Sequence, residues 1–571
     1  MTAISQVIRQ TSHLIPIFAE NRAMRLPLSI ILTLSFTTSF AQEFKAEQER
    51  PKLVVGIIID QMRYDYLTRY WDKFGDGGFK KLVNGGFNCT NTHYNYVPTY
   101  TGPGHASIYT GTTPATHGII GNNWYERSEG KGVYVTSDST AKGIGSDGLA
   151  GKQSPSRLLT TTISDELRLW SNLRSKVIGI ALKDRGAILP AGASANAAYW
   201  YDGISGKWIT SNWYMNEMPA WANQFNEQKL PDEYLSKPWN TLLPIEQYTE
   251  STPDDTPYED LFPGETKPVF PHDLKVGGAK PYDLLKYSPL GNTFTMKFAL
   301  EALKGEQLGL DGFTDLLAVS FSTPDYVGHQ FGTHAIETQD IYLRLDRDLA
   351  TMITLVEKEV GKENVLFFLT ADHAAIPNVG FMQSHQLNAG IFNAVAASDS
   401  LSKHLVSKYG AGNWILDFEN DQVYLNHQLI ADSKLDLESV SIESARFLSG
   451  IKGVSWSLTA RELYSNEYTW GIKSLVQKGY YPKRSGDVVI ILEPGLVEYK
   501  TKGTTHGAGY TYDTHVPLLF YGWRIKPGIL QTETCITDIA PTVSRILGIQ
   551  PPNGTTGKVI APLLENISKN K

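Results

Sequence analysis

Four apolar runs set the rhythm of this chain. KLVVGIIID (residues 52–60), KVIGIALKD (176–184), DLLAVSFST (315–323) and NVLFFLTAD (364–372) are almost continuously apolar. A strand with one wet face alternates, so runs of this kind suit a parallel sheet covered by helices on both faces. Between them, GGFKKLVNGG (77–86), TTTISDELRLWSNL (160–173) and TQDIYLRLDRDLATMITLVEKEV (338–360) carry apolar residues at helical spacing. Strand and helix in alternation predict an α/β fold: a three-layer α/β/α arrangement around a mostly parallel central sheet.

Two stretches break the rhythm. Residues from about 195 to 290 are rich in Trp, Tyr, Pro and Asp, as in YWYDGISGKWITSNWYMNEMPAW, and read as a cap-like insertion whose aromatic residues either line a pocket or pack as core. Residues from about 395 to 485 hold a hairpin pattern (NWILDFENDQVYLN) and a helix pattern (LESVSIESARFLSGI), a small α+β insertion. GDVVIILEPGLVEY then returns to strand pattern, and DIAPTVSRILGI closes the chain with a helix expected to pack on the sheet.

The N-terminus has a different character. Arg22, Met24 and Arg25 precede the apolar LPLSIILTLSFTTSFA, which ends in the small residues Ser39 and Ala41 and gives way to polar QEFKAEQERPK. That order predicts a signal peptide over residues 1–41, cleaved near Ala41, with Met24 as the true start. The run is shorter than the roughly 20 apolar residues that span a bilayer, so a periplasmic or secreted protein without a stable membrane anchor is expected. A formal charge of -7 excludes a nucleic-acid partner held by a broad basic surface. The only cysteines, Cys89 and Cys535, lack metal-ligand spacing and could pair or stay free.

Candidate chemistry collects at predicted strand ends, where sites form in open α/β sheets. Asp60 ends the first run and Asp372 the fourth, with His373 next to it. Asp325 and His329 in PDYVGHQFG are four apart and share a helix face, and His506 lies in the glycine-rich GTTHGAGY. Singly, each has an ordinary explanation as a cap or a solvated pair. Together, three Asp and three His form two half-sites of oxygen and imidazole ligands suited to zinc, and two metals about 4 Å apart form the clamp used in phosphoryl transfer. Such a centre needs a nucleophile. VPTYTGPGHAS offers Thr99, Tyr100 and Thr101 ahead of a helix whose free N–H groups favour negative charge, with Gly102 and Gly104 keeping bulk away from an incoming phosphate.

IIIDQMRYDY, PTYTGPGHASIYTG, HGIIGNNWY, KDRGAILPAG, STPDYVGHQFG, LTADH and GTTHGAGY stand in the order seen in the alkaline phosphatase superfamily. The chain most resembles that superfamily's PafA-type bacterial phosphate-monoester hydrolases, along essentially all of residues 42–571, which would form the catalytic domain. The resemblance implies two zinc ions per chain: one held by Asp325, His329 and His506, the other by Asp60, Asp372 and His373 together with Thr101. It makes Thr101, rather than Thr99, the nucleophile that becomes phosphothreonine, and gives Asn122, Lys183 and Arg185 the phosphoryl oxygens. Small phosphate monoesters are the expected partners of a monomeric enzyme.

Other functions remain open at this level. A phosphodiesterase or nucleotide pyrophosphatase of the same superfamily would share the metal ligands and the threonine. A sulfatase would need Cys or Ser in C/S-x-P-x-R, and TGPGH lacks the arginine. A non-catalytic metal-binding protein would have no use for a nucleophile. Lys183 and Arg185 favour the doubly charged phosphoryl group of a monoester, since a diester carries one negative charge less. His93, His105, His117, His334 and His385 are read as packing or hydrogen-bonding residues.

Overall fold

All four apolar runs become adjacent parallel strands. Leu53–Ile59 lies between Val365–Thr370 and Asp315–Phe321, and Val177–Ala181 and Ala197–Asp202 extend the parallel block on the far side. Every residue of Leu53–Ile59 and Asp315–Phe321 is buried, which is why these segments carry no alternation. The sheet is mixed at its margins: His515–Gly522 runs antiparallel between Val365–Thr370 and Phe87–His93, and Lys207–Ser211 runs antiparallel to Ala197–Asp202. This computed structural model describes residues 49–275 and 280–567, so the leader assigned to residues 1–41 lies outside the described residues.

The covering helices fall into two sets that pack among themselves. Pro289–Gly305 and Ile336–Val360 form one; Thr101–Thr110, Asp184–Ala191 and Ile539–Leu547 form the other. The helix-spaced stretches of the sequence are helical at Phe79–Gly85, Ile163–Trp170 and Ile336–Val360. A capping box starts Ile163–Trp170, in which the Thr162 hydroxyl accepts from the Asp165 amide and the Asp165 carboxylate accepts from the Thr162 amide.

The structure decides the placement of two stretches whose sequence pattern leaves it open. Much of the aromatic run after residue 195 is sheet: Trp200 and Trp208 are buried, and Trp208 stacks on Phe294 and Phe298 at 5.2 and 4.5 Å between ring centroids. The strand Val488–Leu492 does not rejoin the main sheet. It pairs antiparallel with Gln422–Leu425 and Val454–Thr459, over a separate core that includes Leu401, Leu405, Trp414 and Leu448. Its apolar pattern is the same in either sheet, and only the position of its partners decides. Ile539–Leu547 packs against Thr101–Thr110 and is followed by one more short helix, Ala561–Asn566.

Candidate active site

The C-terminal ends of the parallel strands deliver the charged residues to one place. Asp60 follows Leu53–Ile59, Asp372 and His373 follow Val365–Thr370, Lys183 and Arg185 follow Val177–Ala181, and Asp325 and His329 ride on Thr323–Phe331 directly after Asp315–Phe321. Thr101 is the first residue of its helix, and His506 arrives on the loop before His515–Gly522. Asp60, Asp325, Asp372 and His373 are all buried, at 2 % exposure or less.

Ligand atoms of Asp60, Asp372 and His373 lie within 4.8 Å of one another, and so do those of Asp325, His373 and His506. His329 reaches the second group through Asp325, its Nε2 standing 3.2 Å from Oδ1. The three imidazoles are held in one way. Nδ1–H of His329 donates to the Thr504 carbonyl at 2.8 Å, that of His373 to Ala374 at 3.0 Å, and that of His506 to Thr99 at 2.7 Å. Each ring is thereby fixed with Nε2 directed at the carboxylates, the tautomer and orientation that a metal ligand requires. Asp60 Oδ1, Asp372 Oδ2 and His373 Nε2 are buried without a hydrogen-bond partner, a cost that a coordinated cation removes. These residues therefore fit a metal centre in donor type, tautomer and burial.

Electrostatics point the same way. Burial pushes the Asp60 carboxyl up to about 6 and that of Asp372 well above its usual range, with the charges of Asp60 and Asp325 adding to the effect on Asp372. Burial also opposes charge on Asp325, but His329 and Lys183 outweigh it and hold that carboxyl well below its usual range. Lys183 Nζ stands 2.7 Å from Asp60 Oδ2 and 2.5 Å from Asp325 Oδ2, a bridge between the half-sites. Burial disfavours the ammonium, yet Asp325 and Asp60 hold it above the ordinary lysine value.

The three hydroxyls of VPTYTGPGHAS separate clearly. Thr99 Oγ1 donates to the Ala508 carbonyl at 3.0 Å and accepts from the Gly507 amide at 3.1 Å, so it is fully engaged. Tyr100 sets its ring edge-on against His506. Thr101 Oγ1 instead faces two cations, Lys183 Nζ and Arg185 Nη2, each at 3.4 Å. Asn122 Oδ1 accepts from the Gly102 amide at 2.8 Å, which fixes the carboxamide and leaves its N–H groups as donors.

The helix start differs from expectation. The Gly102 N–H is taken by Asn122, Pro103 has none, and the Gly104 N–H bonds the Tyr100 carbonyl. The groups that face Thr101 Oγ1 are therefore the cations Lys183 and Arg185 and not open helix amides. Gly104 does not clear space for a ligand either. A Cβ there would sit 2.2 Å from the Asp372 carbonyl oxygen, so glycine is what lets the helix press against the Asp372 backbone.

Several contributors carried no signal in the sequence. Gln61, at a left-handed φ of 64°, donates its amide to Asp372 Oδ1 at 3.1 Å and its Nε2 to Asp325 Oδ1 at 2.6 Å, tying one carboxylate of each half-site. Tyr134 accepts from Arg185 Nη1 at 2.9 Å and donates to Asp184. His105, read from the sequence as a packing or hydrogen-bonding residue, donates from Nδ1 to the Thr101 carbonyl at 2.8 Å and accepts from the Ser320 hydroxyl at 2.9 Å, neutral because burial pushes it down to about 3. A cleft of about 1690 Å³ is lined by Tyr134 and by Arg127, Arg157, Tyr481 and Arg484. His117, in contrast, is a packed residue bonded to Ser107. Cys89 and Cys535 are both free thiols, pushed up to about 12 by burial.

Among the described residues no helix is long and apolar enough to cross a membrane. Residues 54–516 match the type I phosphodiesterase / nucleotide pyrophosphatase family. The chain is 46% identical over 522 residues to alkaline phosphatase PafA of Elizabethkingia meningoseptica, covering 90% of this chain and 95% of that one. It is 44% identical over 547 residues to a protein of Myroides odoratus named calcium-transporting ATPase, covering 95% of this chain and 100% of that one. The crystal structure of wild-type PafA superposes with a TM-score of 0.87 at 46% identity, over 90% of this chain and 99% of that one. The chain belongs to the type I phosphodiesterase / nucleotide pyrophosphatase family and, within the alkaline phosphatase superfamily, is of the PafA type.

Proposed function

We propose that this phosphatase hydrolyses phosphate monoesters through a phosphothreonine at Thr101, at a centre of two zinc ions. The observation that carries the reading is the pair of cations, Lys183 and Arg185, each 3.4 Å from the Thr101 hydroxyl. A monoester presents a doubly charged phosphoryl group to whatever attacks it, and a buried lysine with a half-buried arginine beside the Thr101 hydroxyl matches that charge.

Asp325, His329 and His506 would hold one ion and Asp60, Asp372 and His373 the other, with Thr101 as a further ligand of the second. When bound, zinc supplies Lewis acidity that lowers the pKa of the nucleophile and neutralises the departing oxygen. The chain's own residues do the rest. Lys183, Arg185 and the Asn122 carboxamide grip the non-bridging oxygens, which turns phosphorus toward Thr101 Oγ1. Thr101 forms the new P–O bond as the ester oxygen leaves, and water then attacks the phosphothreonine and frees inorganic phosphate. Tyr134 and Asp184 hold the Arg185 side of the grip in place.

The leader pattern of residues 1–41 supports export to the periplasm or the medium. A diesterase reading has its own support in the family match over residues 54–516, and the two cations argue against it. Metal analysis of the purified protein, run with rates on a monoester, a diester and a sulfate ester of one leaving group, tests both. Two zinc ions per chain and a monoester preference are expected; a higher kcat/KM on the diester would overturn the assignment.

A further inference from the structure

Two buried histidines, His105 and His117, bond the helix that begins with Thr101. His117 meets the Ser107 hydroxyl with Nε2 at 2.9 Å and accepts from the Ile119 amide at Nδ1, so it ties the flank of the helix to the loop that follows. His105 turns back to the helix start. A carbonyl oxygen can only accept, so the 2.8 Å contact of Nδ1 with the Thr101 carbonyl places the ring proton on Nδ1. Burial keeps the ring neutral, and the bare Nε2 accepts from the Ser320 hydroxyl at 2.9 Å.

The Thr101 carbonyl belongs to the peptide unit whose N–H is that of Gly102. Asn122 Oδ1 accepts from that N–H at 2.8 Å, so one planar unit is held at both ends, by Asn122 on the amide and by His105 on the carbonyl. The hold matters at this position. Glycine is the most permissive residue of the backbone, and without an anchor the plane between Thr101 and Gly102 is free to tilt. With the plane fixed, χ1 of Thr101 remains, and a residue branched at Cβ has few χ1 choices. Oγ1 is then set where Lys183 and Arg185 meet it, each at 3.4 Å.

The far side of the ring is fixed as closely. Ser320, 1% exposed, lies near the end of Asp315–Phe321, the strand that leads to Asp325. Gly186, next to Arg185, closes on the pair: a Cβ there would stand 3.3 Å from His105 Nε2 and 3.4 Å from Ser320 Oγ. The helix of Thr101, the strand toward Asp325 and the helix carrying Arg185 thus meet at one imidazole. Nδ1 also stands 3.4 Å from Asp372 Oδ2, but that oxygen has no hydrogen-bond partner, and the proton is committed to Thr101.

We propose that His105 is a positioning residue for the nucleophile: through the Thr101 carbonyl it fixes the peptide that Asn122 holds from the other end, and so aims Oγ1 at phosphorus. The role rests on the reading of Thr101 as the nucleophile.

The test follows phosphothreonine formation on an aryl phosphate by acid quench, in the full chain with saturating zinc. His105→Leu removes both bonds at similar volume, and should slow phosphorylation of Thr101 by about 10- to 100-fold with KM within about threefold, the scale of a small misplacement of a reacting atom. His105→Asn returns an N–H near the place of Nδ1, and should recover to within about fivefold of the parent. In a Thr101→Ala background the residual rate should not respond to His105→Leu, because no hydroxyl is left to aim. Should His105→Leu fail to fold, Ser320→Ala removes only the bond at Nε2, and is expected to slow phosphorylation by about two- to tenfold. A phosphorylation rate unchanged in His105→Leu, or in Ser320→Ala where the leucine variant does not fold, overturns the proposal. So does equal slowing in the leucine and asparagine variants, as a loss of packing alone would give, a loss that added zinc repairs, which would move the role to Asp372, or a further loss in the Thr101→Ala background. A parent enzyme that forms no phosphothreonine at Thr101 overturns the nucleophile reading and this role with it, so the parent alone tells the two failures apart.

Discussion

The carbonyl of Thr99 accepts a 2.7 Å hydrogen bond from Nδ1 of His506. Through it, the residue two before the proposed nucleophile sets the tautomer of a metal-ligand candidate, while its hydroxyl is consumed by Gly507 and Ala508. Thr99 and Thr101 therefore have different work. Thr101→Ala should lower kcat/KM on an aryl phosphate by roughly 10³- to 10⁶-fold, as loss of a nucleophile does. Thr99→Val keeps the carbonyl and should cost about 1–3 kcal/mol of stability from its unsatisfied partners, with activity within about tenfold. Steady-state kinetics with acid trapping of phosphoenzyme checks both. A phosphoenzyme that survives Thr101→Ala would return the role to another hydroxyl.

Arg185 meets Thr101 with one nitrogen and Tyr134 with another. Arg185→Ala is expected to lower monoester kcat/KM by about 10²- to 10³-fold, the loss typical of removing one donor to a developing charge. Diester turnover should fall far less. Tyr134→Phe removes the anchor and keeps the guanidinium, so a milder loss in the same direction is expected. Equal losses on monoester and diester would show that the arginine does not distinguish the two charges.

Gln61 spans both half-sites through Asp325 and Asp372. Gln61→Gly keeps the left-handed backbone at low cost and deletes the carboxamide. Removing a partner that orients metal ligands typically weakens metal binding by about 10- to 100-fold. The expected phenotype is low activity at limiting zinc that returns on zinc addition, read by titrating activity against buffered free zinc. An activity loss that zinc does not repair would place Gln61 elsewhere in the mechanism.

Four strands of the parallel block and the acidic residues at their ends were legible because burial on both faces leaves a continuous apolar run with an abrupt polar end, whereas Ala197–Asp202 was read as part of the insertion. Asp60 and Asp372 show that pattern plainly. The destination of Val488–Leu492 was not legible, since an apolar strand reads alike in either sheet. Nor were the residues that hold the site in shape. Gln61, Tyr134 and Ser320 act through hydrogen bonds to residues 50 or more positions away in the chain. Such contacts follow from the close approach of strand ends and leave no periodicity behind. The aromatic run after residue 195 stayed undecided for a related reason: Trp208 has the same composition signature lining a pocket as in the Phe294 and Phe298 stack that it joins.

Asp348 offers a test of pH-dependent stability away from the metal-ligand residues. Its carboxylate, 9% exposed, accepts from the Thr293 hydroxyl at 2.9 Å, and burial pushes its pKa from 3.8 up to about 7. The folded state then holds a proton that the unfolded chain has released between those values. Stability from this group is full below about pH 4 and is lost as pH rises to about 7, a loss of roughly 2–4 kcal/mol. Asp348→Asn keeps an acceptor for Thr293 and carries no charge to bury. It should match the wild type near pH 4 and exceed it at pH 8, so the difference in unfolding free energy grows across that interval. Denaturant titrations at intervals from pH 4 to 8 measure it directly. A difference that stays flat would mean that Asp348 ionises as freely in the folded protein as in the unfolded chain.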